Sequence, residues 1–270
     1  MSSTQAAPAK YFSPRRLGHA NLFVGDYERA YDFYHHVVGF EEVYRQPDNR
    51  ASFISNGNTY HDMALTDIKS KYAPAGQKPG LFHIAFEVEN EVSLVDGYRR
   101  ATAGGVAFLS TQDHDVAHSL YHNDPDGNGV ELYADVVEDW RTARNGIVIK
   151  KKPQWIPGIT TPPVQKALHP VDPEIRVVEH SVFRARRVTH VAFVADDFEK
   201  EFDYYTGVVG LDAFAGSREA AYAVLKGVAS QGDVTLYRKA AGQAAGMHHV
   251  GIEVAHEADL ERALKAMPGA

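Results

Sequence analysis

The stretch DHDVAHSLYHNDPDGNGVELYAD, from Asp113 to Asp135, holds three histidines, a Pro-Asp-Gly turn and one glutamate in an otherwise strand-like run. Side chains alternate faces along a strand. If Val130 and Leu132 pack into a core, Glu131 and Tyr133 point the other way, into water or into a site. His19 and His83 stand on two further strand-like segments, at corresponding places in successive units of a repeat. Two neutral imidazoles and one carboxylate on a common face, with open positions opposite, form the facial triad of non-haem Fe(II) oxygenases. A single strand histidine is more often a hydrogen-bonded core residue or a surface one, and this chain has 14 histidines. The repeat weighs against coincidence.

That repeat is visible at two levels. HANLFVGDYERAYDFYHHVVGF begins at His19 and HVAFVADDFEKEFDYYTGVVGL at His190; in both, aspartate follows the histidine by seven positions, tyrosine by 15 and glycine by 20. Each reads as a short strand running into an amphipathic helix, with Tyr27, Ala30, Tyr31 and Tyr34 at helical spacing and Gly39 at its end. A second pair, FHIAFEVENEVSLVDGYRRATAGGV around His83 and HHVGIEVAHEADLERALKAM around His249, repeats the pattern. Strand-like segments such as RASFISNG and YHDMALTDI lie between them. The expected fold class is α+β: paired βαβββ modules forming curled mixed sheets, duplicated as two halves. Residues 1–140 would form the first half and 187–270 the second. Between them, Arg141 to Arg186 carries six prolines and little periodicity, and is expected to be an extended connector wrapping the surface. Only about twenty residues follow His249, so the last module reads as incomplete: cut, degenerate, or completed by a partner. Unpaired strand edges there favour self-association, and a homo-oligomer is expected.

Composition narrows the class. The 270 residues are 44% hydrophobic and 23% charged, typical of a soluble globular protein. No apolar run approaches the ~20 residues that span a bilayer, and MSSTQAAPAK lacks the apolar core of a secretory signal. Cysteine is absent, which excludes disulfides and thiolate metal sites and suits the cytoplasm. The net charge is −7, and the one basic run, Lys150 to Lys152, reads as a solvated loop, so neither nucleic acid nor membrane is expected as a partner.

Four segments taken together, LGHANLFVGD, NTYHDMALT, LFHIAFEV and DPDGNGVELYAD, resemble type I extradiol ring-cleaving dioxygenases (catechol 2,3- and biphenyl-2,3-diol-type) of the vicinal oxygen chelate superfamily. The resemblance covers Leu17 to Asp135 fully and Val188 to Ala266 in part. It implies metal ligation by His19, His83 and Glu131, with Fe(II) as the ion and Mn(II) as the alternative, and a catecholic substrate and O2 as partners. It also implies a catalytic histidine just before the strand that precedes the second metal histidine, here His61. A tyrosine ten residues before the metal glutamate is Tyr121, and a further histidine before that tyrosine is best matched by His114. His61 would stabilise developing negative charge and donate a proton, which an imidazole does readily near neutral pH. Tyr121 and His114 would orient the substrate oxygens. His118 and His122 fall on the opposite strand face by parity and read as structural or solvated.

Superfamily alternatives fit less of this set. Glyoxalase-type isomerases need a second carboxylate at the metal, thiol-transfer resistance enzymes have no use for His61, and metal-free binding modules need no ligands. In the second half, aligning Asp233 with Asp62 puts Gly232 at the position of His61, and nothing stands where Glu131 does. His190 and His249 alone make a poor Fe(II) site, so catalysis is expected in the first half. Many two-domain relatives place it in the C-terminal half instead. The identity of the catechol stays open.

Overall fold

A computed structural model describes residues 10–149 and 153–267. The Lys150 to Lys152 run lies outside the described residues. In the first half, β1 (Pro14–Val24), α1 (Tyr27–Asp32), β2 (Glu42–Arg45), β3 (Ala51–Ile54) and β4 (Met63–Asp67) form one module. A second comprises β5 (Gly80–Val88), α2 (Glu91–Ala103), β6 (Ser110–Asp113), β7 (Ala117–Asn123) and β8 (Gly129–Asp135). Together with β9 (Gly146–Ile147) they make a nine-stranded sheet in the order β6-β7-β8-β5-β1-β4-β3-β2-β9. Central β1 and β5 are antiparallel, and each is flanked by a parallel neighbour, β4 and β8 respectively. The second half repeats the first module as β10 (Ala185–Ala195), α3 (Phe198–Asp203), β11 (Asp212–Gly216), β12 (Tyr222–Lys226) and β13 (Val234–Arg238). It then gives β14 (Gly246–Val254) and α4 (Glu257–Ala266), with no further strand among the described residues. The α+β class and the curled, modular sheets match the sequence expectation.

One irregularity decides what β1 presents to each side. Leu17, Ala20 and Leu22 belong to the main core. Leu17 shares its parity with His19, so an unbroken strand would drive both to the same face. Between Leu17↔Phe86 and His19↔Ala85 the pairing skips a residue, a β-bulge at Gly18. The bulge flips the parity, sending Leu17 to the core and His19 with Asn21 to the concave face. A side chain at residue 18 would overlap the Tyr133 phenol, so only glycine fits there. The second half repeats the device between Val188 and His190.

The helices hold a second regularity that periodicity does not announce. After one α-turn, Phe33–Val38 widens into a π-helical turn, in which Gly39 N donates to Tyr34 O, and Tyr204–Val209 does the same in the second half. Gly39 and Gly210 close these turns at φ +100° and +89°, a conformation glycine adopts freely.

The two halves lock through equivalent residues. Asp62 Oδ1 accepts from Val188 N at 3.1 Å, and its counterpart Asp233 Oδ1 accepts from Leu17 N at 2.6 Å. Each aspartate sits just before its own strand, β4 or β13, and caps the first strand of the other half. Ser55 and Asn58 also donate to Asp62. The connector is more than a surface wrap: β9 pairs with β2, Trp155 is fully buried, and Arg144 is buried over the Tyr44 ring. Trp155 stacks on His118 at 4.4 Å, which gives that histidine a packing role. Large aromatic area offsets the entropy of ordering so proline-rich a segment.

Because Asp62 is the sole side-chain acceptor for Val188 N among these bonds, Asp62→Ala leaves buried donors unpaired on both sides of the seam. A loss of about 1–3 kcal/mol is expected. It will be read as a lower urea midpoint with an unchanged slope, and an unchanged midpoint would dismiss this lock.

Candidate metal centre

Three strands deliver the candidate ligands to one spot on the concave face. His19 (β1), His83 (β5) and Glu131 (β8) are buried, and their ligand atoms all lie within 4.8 Å of one another. The two Nε2 atoms are 3.3 Å apart, and Glu131 Oε2 lies 3.2 Å from His19 Nε2 and 3.0 Å from His83 Nε2. Burial alone would push the Glu131 carboxyl up. The hydrogen bonds and positive field of His19 and His83 outweigh it and hold the group well below the usual carboxylate range. The donor set suits a divalent ion that accepts nitrogen and oxygen ligands. Of the three, His83 also lines a cleft, together with Asn21 and Tyr121.

Neighbouring side chains contact Glu131 and His83. Ser119 Oγ donates to Glu131 Oε1 at 2.5 Å, leaving Oε2 turned toward the imidazoles. Asn21, register partner of His83 across β1 and β5, brings its Nδ2 within 2.9 Å of His83 Nε2. Neither residue was singled out from the sequence, yet parity offers both: Asn21 follows His19 by two, and Ser119 precedes Tyr121 by two. Ser119 is placed to orient its carboxylate in this way, whereas Asn21 meets the same His83 nitrogen that faces the other two candidate ligands.

The three further candidates also converge. Tyr121 is the direct cross-strand partner of Glu131 and carries its ring 5.6 Å from that of His83. Burial raises the Tyr121 phenol well above its ordinary value, which keeps its proton in place. His114, in the turn between β6 and β7, shares a 2.7 Å hydrogen bond with the Tyr121 hydroxyl through Nε2. His61 precedes β4 and is fully buried, with its ring centroid 4.1 Å from that of His19. An aromatic cage surrounds it: Tyr60 at 4.7 Å, Phe53 at 5.1 Å and Tyr44 at 6.4 Å. That cage comes from β2, β3 and the β4 approach, a juxtaposition of registers with no local sequence signal.

His118 and His122 are buried on the other face of β7, as parity requires. His118 Nδ1 meets Glu91 Oε1 at 2.6 Å, and His122 packs on Phe108 and the Tyr204 hydroxyl, where burial pushes its pKa down to about 4. In the second half His190 and His249 again face each other through Nε2, at 3.3 Å. No carboxylate joins them among the described residues.

Comparison with known proteins follows this duplication. A family model for the Glyoxalase/Bleomycin resistance protein/Dioxygenase superfamily matches residues 16–132 and 187–269. The chain is 26% identical over 197 residues to a catechol-2,3-dioxygenase of Bacillus subtilis (strain 168), covering 73% of this chain and 65% of that protein. It is 32% identical over 127 residues to biphenyl-2,3-diol 1,2-dioxygenase 3 of Rhodococcus globerulus, covering 44% of this chain and 63% of that one. The matches thus span slightly less than two thirds of these relatives. Among solved structures, the 2,3-dioxygenase LapB from Pseudomonas sp. KL28 shares the fold with a TM-score of 0.65 at 16% identity, over 95% of this chain and 81% of that one. With both repeats matched and the modular sheets shared, the chain belongs to the Glyoxalase/Bleomycin resistance protein/Dioxygenase superfamily.

Proposed function

We propose that the protein is an Fe(II)-dependent extradiol dioxygenase that opens the ring of a catecholic substrate beside its hydroxyls, with the site in the first half. The observation that carries the reading is that His61, Tyr121 and His114 border the same concave face on which His19, His83 and Glu131 converge. An isomerase site would call for a second carboxylate beside the triad, and no group of that kind joins it among the described residues. The dioxygenase names of the two relatives point the same way.

His19, His83 and Glu131 would hold the ion, which supplies Lewis acidity and the one-electron chemistry that dioxygen requires. The chain's own residues do the rest. Ser119 fixes Glu131 so that one carboxylate oxygen faces the site. Tyr121, kept protonated by burial, donates to a substrate oxygen, while His114 holds the phenol in place. His61 sits against His19 in an aromatic cage that excludes water, so a charge developing on oxygen nearby is felt in a low dielectric. A proton delivered from its imidazole to that oxygen lets the ring open.

Two outcomes test the reading. Elemental analysis of purified variants will find that Glu131→Ala abolishes tight Fe(II) binding while His249→Ala retains about one ion per chain, as a single complete triad requires. Metal lost from the His249 variant would move the site to the second half. His61→Phe is expected to keep iron and catechol binding but lose ~10²–10⁴-fold in kcat, the usual cost of removing a positioned acid-base group. Oxygen uptake by the iron-replete variant within a few-fold of the parent would take His61 out of the chemistry.

A further inference from the structure

We infer that the substrate ring carries an uncharged, apolar substituent, because the cleft opening onto His83 and Tyr121 is walled by Phe23, Phe82 and Leu109 and has no charged side chain among its described lining residues. The inference rests on the ring-cleaving reading above and names the class of ring. The cleft encloses about 510 Å³, within the range of small-molecule sites. Phe23 and Phe82 hold their rings 4.7 Å apart, and Phe53 closes the inner end, stacked on Tyr44. Phe82 and Leu109 stay 41% and 69% exposed although both border the cleft. One exposed apolar residue is ordinary; two facing one concavity already lined by phenylalanine mark a surface that an apolar group would cover.

Besides the candidate ligand His83 and His122, the polar groups of the lining are amides and hydroxyls. Gln46, Gln77 and Gln112 contribute side-chain amides, and no lysine, arginine, aspartate or glutamate joins them. Three nearby arginines are committed elsewhere: Arg45 to Glu42, Arg50 to Asp67, and Arg144 to the His114 carbonyl and the Tyr44 ring. Lys71 lies over the ring of Tyr72 at the edge of the cleft, and neither it nor Lys78, next to Gln77, is itself a lining residue. A carboxylate substituent would shed its hydration here without a guanidinium or ammonium to replace it. An alkyl or aryl substituent of the same size sheds nothing of value and covers the apolar wall.

Two probes that share a benzylic CH2 expose that difference: 4-ethylcatechol, ending in methyl, and 3,4-dihydroxyphenylacetate, ending in carboxylate. Calorimetric titration of the Fe(II)-loaded protein under argon is expected to show at least tenfold tighter binding of the ethyl compound. Leu109→Arg, at an exposed position, is expected to shrink or reverse that ratio by at least tenfold without lowering the melting temperature, and Phe82→Lys checks the same point from β5. Equal affinity, or tighter carboxylate binding by the parent protein, overturns the inference. Admitting oxygen separates it from the ring-cleaving reading. Tight, selective binding of 4-ethylcatechol with no oxygen uptake sinks ring cleavage and leaves the specificity standing. Uptake at equal kcat/KM for both compounds sinks the specificity alone, and failure of both compounds to bind overturns both.

Discussion

A buried carboxylate is the constraint around which the first half is built. Glu131 is 1% exposed, and an isolated ionised group in that position would cost several kcal/mol. His19 and His83 on two other strands meet its Oε2, and Ser119 meets its Oε1. To bring both imidazoles there, β1 must flip its side-chain parity after Leu17, so the bulge at Gly18 follows, and Tyr133 fills the space that a side chain at residue 18 would need. The parallel pairing of β5 with β8 sets His83 and Glu131 two pair positions apart. Polar groups therefore line a concave face whose convex side is apolar.

The second half repeats the framework of the first module and the start of the second. Its bulge, its π-helical turn, its Arg187–Glu253 pair and its seam aspartate all have counterparts in the first half at Gly18, Phe33–Val38, Arg16–Glu87 and Asp62. Those shared features belong to the architecture. Glu131, His61 and Tyr121 have no equivalents among the described residues of the second half, where Gly232 stands in place of His61. Within the stretch that both halves share, Gly232 in place of His61 removes a residue that the proposed chemistry uses.

Much of this was legible because strand alternation is strict. Parity alone put Glu131 and Tyr121 on one face and His118 and His122 on the other, and the repeat aligned His19 with His83. Asn21 and Ser119 obey the same rule and could have been drawn from it. The bulge could not: it is visible only once Leu17 and His19 are seen to need opposite faces. The cage of Tyr44 and Phe53 around His61 depends on the register of β2 against β3, which no local pattern encodes. The connector misled for a related reason. Proline-rich sequence has no hydrophobic period, yet Trp155 buries itself through a single large side chain, which periodicity does not detect.

In the proposed chemistry the triad of the first half directs dioxygen into an aromatic ring. Cleavage of 4-ethylcatechol by the iron-loaded protein under ¹⁸O2, with mass spectrometry of the ring-opened product, tests it most directly. The expected product carries label from both atoms of the same O2 molecule, with no label entering from H2¹⁸O in the converse experiment beyond slow exchange at the aldehyde carbonyl. A product rearranged without any oxygen gained would contradict it and would mark the same three side chains as an isomerase site.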